Sequence, residues 1–142
     1  MSKSITISMP LYFDMGKKKI TRRYINMNEY KNWHYMVSNN IKSAYEKLAW
    51  TKIYKLRFTK KIKLEFVLWK YDKRLGDRSN VLCIHEKFFC DALTKSGCIP
   101  DDNDNFIEQT LYRTGGINKL NPRVDIIITE IESEHGAVDI FN

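Results

Sequence analysis

The chain has 142 residues, 43% hydrophobic and 29% charged, a composition that fits one globular domain and excludes a disordered or fibrous chain. No apolar stretch approaches the roughly 20 residues of a membrane span. The alternating start Met1-Ser2-Lys3-Ser4-Ile5-Thr6-Ile7 has no secretory h-region, so a cytoplasmic protein with no membrane partner is expected. The three cysteines, Cys83, Cys90 and Cys98, are odd in number and form no Cys-x-x-Cys pair, which argues against a disulfide framework or a zinc knuckle. Net charge is +7, but it is polarised: residues 1–76 hold 18 Lys and Arg against 5 Asp and Glu, whereas residues 77–142 hold 6 against 12. A basic half suits a polyanion, because each neutralised phosphate releases counterions. The acidic half would repel that polyanion unless it binds a cation.

In chain order, Ile5 and Ile7 alternate with polar residues up to Pro10 and predict a first strand. A basic loop follows, with Lys17, Lys18, Lys19, Arg22 and Arg23. Asn28 is placed to cap a helix running to about Trp50, in which Trp33, Val37, Ile41, Ala44, Tyr45 and Leu48 recur at spacings of three and four. Ile62, Leu64, Phe66 and Leu68 alternate with Lys63, Glu65, Val67 and Trp69, which predicts a strand with one face on the core. A second helix is expected from Asn80 to Ser96, closed by Gly97. After the turn at Pro100–Asn103, a hairpin is predicted, with strands near 106–113 and 124–131 joined through Gly115-Gly116. These elements predict a single α+β (mixed α/β) domain over residues 1–142, with a mixed sheet and two main helices.

Residues 77–102 carry the chemistry. On the second helix Asn80, Lys87, Asp91 and Thr94 fall within about 60° of one another around the axis and form a polar stripe. That stripe reads either as part of a site or as a solvated face with a Lys87–Asp91 pair. Asp77 precedes the helix, and Asp101 and Asp102 follow it. Converging carboxylates need a cation between them, and hard oxygen donors select Mg²⁺ or Mn²⁺, which is nuclease chemistry. Against this, Asp77 and Ser79 are common helix caps, and Asp101, Asp102 and Asp104 are common turn formers. A calcium loop is excluded, because the Asp101-x-Asn103-x-Asn105 run lacks Gly at the sixth position. His85 reads as a partly exposed helix histidine or a general base. Trp69 and Tyr71 read as core or interface residues, or as stacking partners for an unpaired base.

The ordered series Asp77-Arg78-Ser79-Asn80, Lys87, Asp91-Ala92-Leu93-Thr94-Lys95-Ser96-Gly97 and Asp101-Asp102 resembles the RusA family of Holliday junction resolvases. That family shows an Asp-x-Asp-Asn motif, a lysine, an Asp-Ala-Leu run, a glycine and an Asp-Asp pair in this order. Ser4–Ile7, the 26–44 segment and Arg123–Glu130 extend the likeness over most of the chain. The resemblance implies a homodimer that cleaves four-way DNA junctions with Mg²⁺, and it is to a pattern found in phage- and prophage-encoded proteins. It makes Asp77 and Asp102 metal ligands, with Asp101 sharing the role, and Lys87 the catalytic lysine. Asn80 would order the loop and Asp91 would fix Lys87. Lys17–Lys19, Arg22, Arg23, Lys73, Arg74 and Arg78 would grip the branched DNA.

Two departures bear on activity. Ser79 stands where the motif has its second aspartate, which implies looser metal binding, a substitute carboxylate or loss of cleavage; Glu86, seven residues on, is the candidate substitute. Asn80 and Lys87 are seven apart where well-known members have three, an extra helical turn that moves the lysine about 6 Å along the axis. A catalytically weak or inactive junction-binding protein on the same fold is therefore the alternative expectation, and a general basic nucleic-acid-binding domain is a third.

Overall fold

The computed structural model describes residues 4–74 and 76–131. Along these residues the chain forms β1 (Ser4–Met9), β2 (Tyr12–Met15), β3 (Thr21–Tyr24), α1 (Met27–Tyr30), α2 (Tyr35–Ile53), β4 (Ile62–Lys70), α3 (Arg78–Lys95), β5 (Ile107–Ile117) and β6 (Arg123–Glu130). The result is a small α+β domain with a four-stranded mixed sheet, a two-stranded sheet and three helices among the described residues. None of these helices is long and apolar enough to cross a membrane.

Strict alternation places the core on one face of the main sheet, whose order is β1-β6-β4-β5. Ile7 lies opposite Ile126, which lies opposite Phe66; Met9, Val124 and Leu68 form the next row. All six are buried and pack with Ile41, Tyr45 and Ile53 of α2 and with Leu82, Phe88, Phe89 and Leu93 of α3. The opposite pleat mixes polar side chains with the buried Val67 and the half-buried Trp69 and Ile127: Arg113 pairs with Glu65 at 2.9 Å, and the Trp69 indole N–H donates to Asp125 at 3.0 Å.

The strand at 62–70 and the helix ending at Gly97 match the sequence reading, but three expectations change. First, β5 and β6 do not form a hairpin. They flank β4 on opposite sides, β5 parallel to it and β6 antiparallel. The chain crosses from β4 to β5 through α3, the connection that parallel neighbours require. Gly115 and Gly116 lie inside β5 rather than in a turn, because the Trp69 ring covers them: a Cβ on Gly115 would stand 2.6 Å from the indole. Second, the helix expected from Asn28 is two helices. Asn26 caps α1, its Oδ1 accepting from Glu29 N at 2.8 Å, and His34 Nδ1 caps α2 by accepting from Met36 N at 3.3 Å. Third, the basic loop is the end of a hairpin, with β2 and β3 paired antiparallel and Gly16 at φ +122° in the turn.

Candidate functional site

α3 is amphipathic, and its apolar side sets the aim of its polar side. Leu82, Phe89 and Leu93 are fully buried; Glu86, in the same helical row, is half-buried, and Lys87 beside it is exposed. The helix starts at Asp77, whose Oδ1 accepts from Ser79 N at 2.9 Å. It ends in a Schellman turn: Gly97 sits at φ +75°, Gly97 N donates to Thr94 O and Cys98 N to Leu93 O. The following loop is built from its own side chains. Asp101 Oδ1 accepts from Asp102 N at 2.8 Å and its Oδ2 from Asn103 Nδ2 at 3.1 Å, while Asn103 Oδ1 accepts from Asn105 N at 2.8 Å.

Between α3, this loop and the start of β5 lies a cavity of about 240 Å³ lined by Glu86, Lys87, Cys90, Asp102, Asp104 and Glu108, among others. It holds three of the residues singled out in the sequence, Glu86, Lys87 and Asp102. Tyr112, from β5, donates its hydroxyl to Glu86 Oε1 in a short hydrogen bond and so sets the direction of that carboxylate. Burial, and next the hydrogen bond to Glu86, holds the Tyr112 phenol above its ordinary pKa. Burial, with the carboxylates of Glu86, Asp102 and Asp91 adding to it, pushes the Cys90 thiol up to about 12, so it stays protonated. The donors facing the cavity are therefore oxygens. Asp104 and Glu108 were not picked out as site residues, since one reads as a turn former and the other as an outward strand residue.

Asp77 does not join this group. β4 and β5 are parallel and α3 returns between them, so Asp77 and Asp102 lie at opposite ends of the crossover. Nine residues separate Asp77 from Glu86, a helical rise of about 14 Å. Asp77 lines a different cavity, of about 360 Å³, with Lys70, Tyr71, Arg74 and Asn80. The expected meeting of Asp77 with Asp101 and Asp102 is thus absent, because the helix holds its own cap away from its C-terminal loop. Among the described residues no group of three or more His, Cys, Asp or Glu side chains stands together as a metal cage.

The other residues singled out fall into place individually. Asn80 Oδ1 accepts from Asn28 N at 3.1 Å and ties α1 to α3. Asp91 pairs with Lys42 of α2 at 2.6 Å, in place of the expected pairing with Lys87; that hydrogen bond, ahead of any other cause, raises the Lys42 pKa. Ser79 is exposed in the first turn of α3. His85, expected to be partly exposed, is fully buried. Lys17, Lys18 and Lys19 are exposed at the β2–β3 turn, while Arg22 is held by Asp14 at 3.0 Å and lies over the Tyr12 ring at 3.9 Å. Arg23 is half-buried. Lys73 and Arg74 are exposed in the loop before α3, and Arg78 reaches Thr114 Oγ1 at 3.4 Å. A comparison with protein-family models finds none that matches the chain, and no curated protein matches it.

Proposed function

We propose that this protein is a metal-dependent endodeoxyribonuclease that cuts four-way junctions or other branched DNA as a homodimer. The observation that carries this reading is the meeting of Glu86, Lys87 and Asp102 at one acidic cavity in a chain whose first half is strongly basic. Mg²⁺, or Mn²⁺ in its place, fits this donor set, because such an ion is commonly held by one or two carboxylates and completes its shell with water and substrate phosphate. Glu86 and Asp102 would hold it, with Asp104 and Glu108 adding negative charge nearby. When bound, the ion polarises a phosphodiester and lowers the pKa of a bound water.

The chain's own groups do the rest. Lys87 offers an ammonium beside Glu86 to stabilise charge on phosphate oxygens in the transition state. Tyr112 holds one oxygen of the Glu86 carboxylate in place through its hydroxyl. The lysines at the β2–β3 turn, with Lys73, Arg74 and Arg78, hold the DNA arms through phosphate contacts, so selectivity comes from junction shape and not from base edges. A symmetric dimer would present two equivalent cavities to a junction that is itself nearly two-fold symmetric.

Ser79, in place of a motif aspartate, favours a second reading, a junction-binding protein without cleavage. A synthetic four-way junction incubated with and without Mg²⁺ or Mn²⁺ separates the two. Paired nicks that Asp102→Asn abolishes while binding is retained support the nuclease, and tight junction binding without nicks at any metal concentration supports the binder. Equal affinity for a junction and a linear duplex at the same salt would sink both.

A further inference from the structure

Away from the acidic cavity, two aromatic rings stand in the open at the C-terminal end of α2. Trp50 is 50% exposed, and the adjacent Tyr54, just past the helix, is 39% exposed. Their ring centroids are 4.7 Å apart with planes 26° from parallel, a stacked pair. Single exposed apolar side chains are ordinary, but a preformed stack on a helix surface presents one flat platform. The sequence around it is basic: residues 42–61 carry seven Lys and Arg against one acid, Glu46. Lys55 Nζ lies 5.5 Å from the Tyr54 ring centroid.

Trp50 also borders a groove of about 480 Å³ between α2 and α3, along which Lys42, Lys47 and Lys95 are arrayed. Two of these lysines are held in place: Asp91 fixes Lys42 at 2.6 Å, and Glu46 fixes Lys95 at 2.9 Å. Lys47 is exposed one turn from Trp50. Lys87 of the acidic cavity and Lys95 of this groove are eight residues apart on α3, a rise of about 12 Å.

We propose that this groove binds single-stranded DNA, with an unpaired base stacked on Trp50 and the flanking phosphates on Lys47 and Lys95. The choice of DNA rests on the nuclease reading above; the choice of a single strand rests on the platform, because a base inside a duplex has no free face to offer it. The excess of lysine argues for a polyanion over an apolar protein partner. Opened branch points supply such unpaired bases.

The test is titration of the full-length protein with an oligo-dT single strand in EDTA, so that no cleavage enters the measurement. Intrinsic tryptophan fluorescence and binding anisotropy are read in parallel. Trp50→Ala is expected to remove most of the quenching and weaken binding about 5- to 150-fold, the effect of losing one base stack. Trp50→Phe keeps a ring and should recover part of the affinity, which separates stacking from a folding defect. Unchanged oligo-dT affinity in Trp50→Ala overturns the proposal. So does a change from dimer to monomer in that variant at unaltered DNA affinity, since the platform would then be a protein interface. Tighter binding of oligo-U than oligo-dT also overturns it. Failure of the wild-type protein to nick a junction in Mg²⁺ would defeat the nuclease reading alone and leave this binding result standing.

Discussion

The Tyr45 hydroxyl and His85 Nδ1 lie 2.9 Å apart, joining α2 to α3 with both side chains fully buried. His85 Nε2 has no hydrogen-bond partner among the described residues. Burial disfavours a charge on this imidazole and holds its pKa down to about 3. The sign follows from the unfolded chain, whose histidine takes up a proton near the ordinary 6.5 while the folded one stays neutral. Stability from this group is complete above about pH 6.5 and falls as pH drops toward 3. For one proton the slope is about 1.4 kcal/mol per pH unit. Urea unfolding at pH 7.0, 6.0 and 5.0 should show stability falling in the wild type, with a slope that steepens toward that value between pH 6 and 5, and a flatter profile in His85→Gln. Equal slopes in the two proteins would mean that His85 is not the group responsible.

At the other end of α3, the Asp77 carboxylate accepts from Ser79 N and does not reach the cavity that holds Asp102. Asp77→Ala should therefore cost about 1 kcal/mol in stability, the usual loss of a helix cap. Asp77→Ser can still cap and should keep both stability and junction nicking. If Asp77→Ser folds normally and no longer cuts, the ligand role implied by the RusA resemblance belongs to Asp77 after all.

Gly115 lies beneath Trp69, where an added Cβ would meet three indole carbons within 2.9 Å. The ring cannot move without cost, since its N–H is bound to Asp125 and Arg123 stacks on it at 5.1 Å. Gly115→Ala should destabilise the domain by about 1–3 kcal/mol, as overpacking usually does. Thermal unfolding measures the loss, and a shifted tryptophan emission would trace it to Trp69. An unchanged midpoint and spectrum would show that the strand yields at this point.

Asp102→Asn and Glu86→Gln bear on the acidic cavity directly. Each removes one charge from the pair assigned to the cation while keeping side-chain size. Junction nicking should fall at least tenfold in either variant, and the Mg²⁺ concentration for half-maximal nicking should rise. Junction binding in EDTA should hold or tighten slightly, as a charge that repels phosphate is lost. Full activity in Asp102→Asn would remove the cavity from the mechanism.

Local pattern by itself determined a good part of this molecule. The alternation from Ile62 to Trp69 specifies a strand and its buried face, because side-chain period and pleat are one geometry. The 80–97 segment specifies a helix and its stop, because Gly97 can take φ +75° without strain. The polarised charge was likewise visible in the residues, and Glu86, Lys87 and Asp102 were each among the candidates, but their meeting at one cavity without Asp77 was not. Tertiary structure decided what depends on partners distant in sequence. Gly115-Gly116 has the chemistry of a turn, yet it forms part of β5 because Trp69 packs over it, and no local signal tells those two uses of glycine apart. His85 looked like a surface residue until α2 brought Tyr45 against it. The separation of Asp77 from Asp102 follows from the parallel pairing of β4 with β5, which obliges α3 to run the length of the sheet between them.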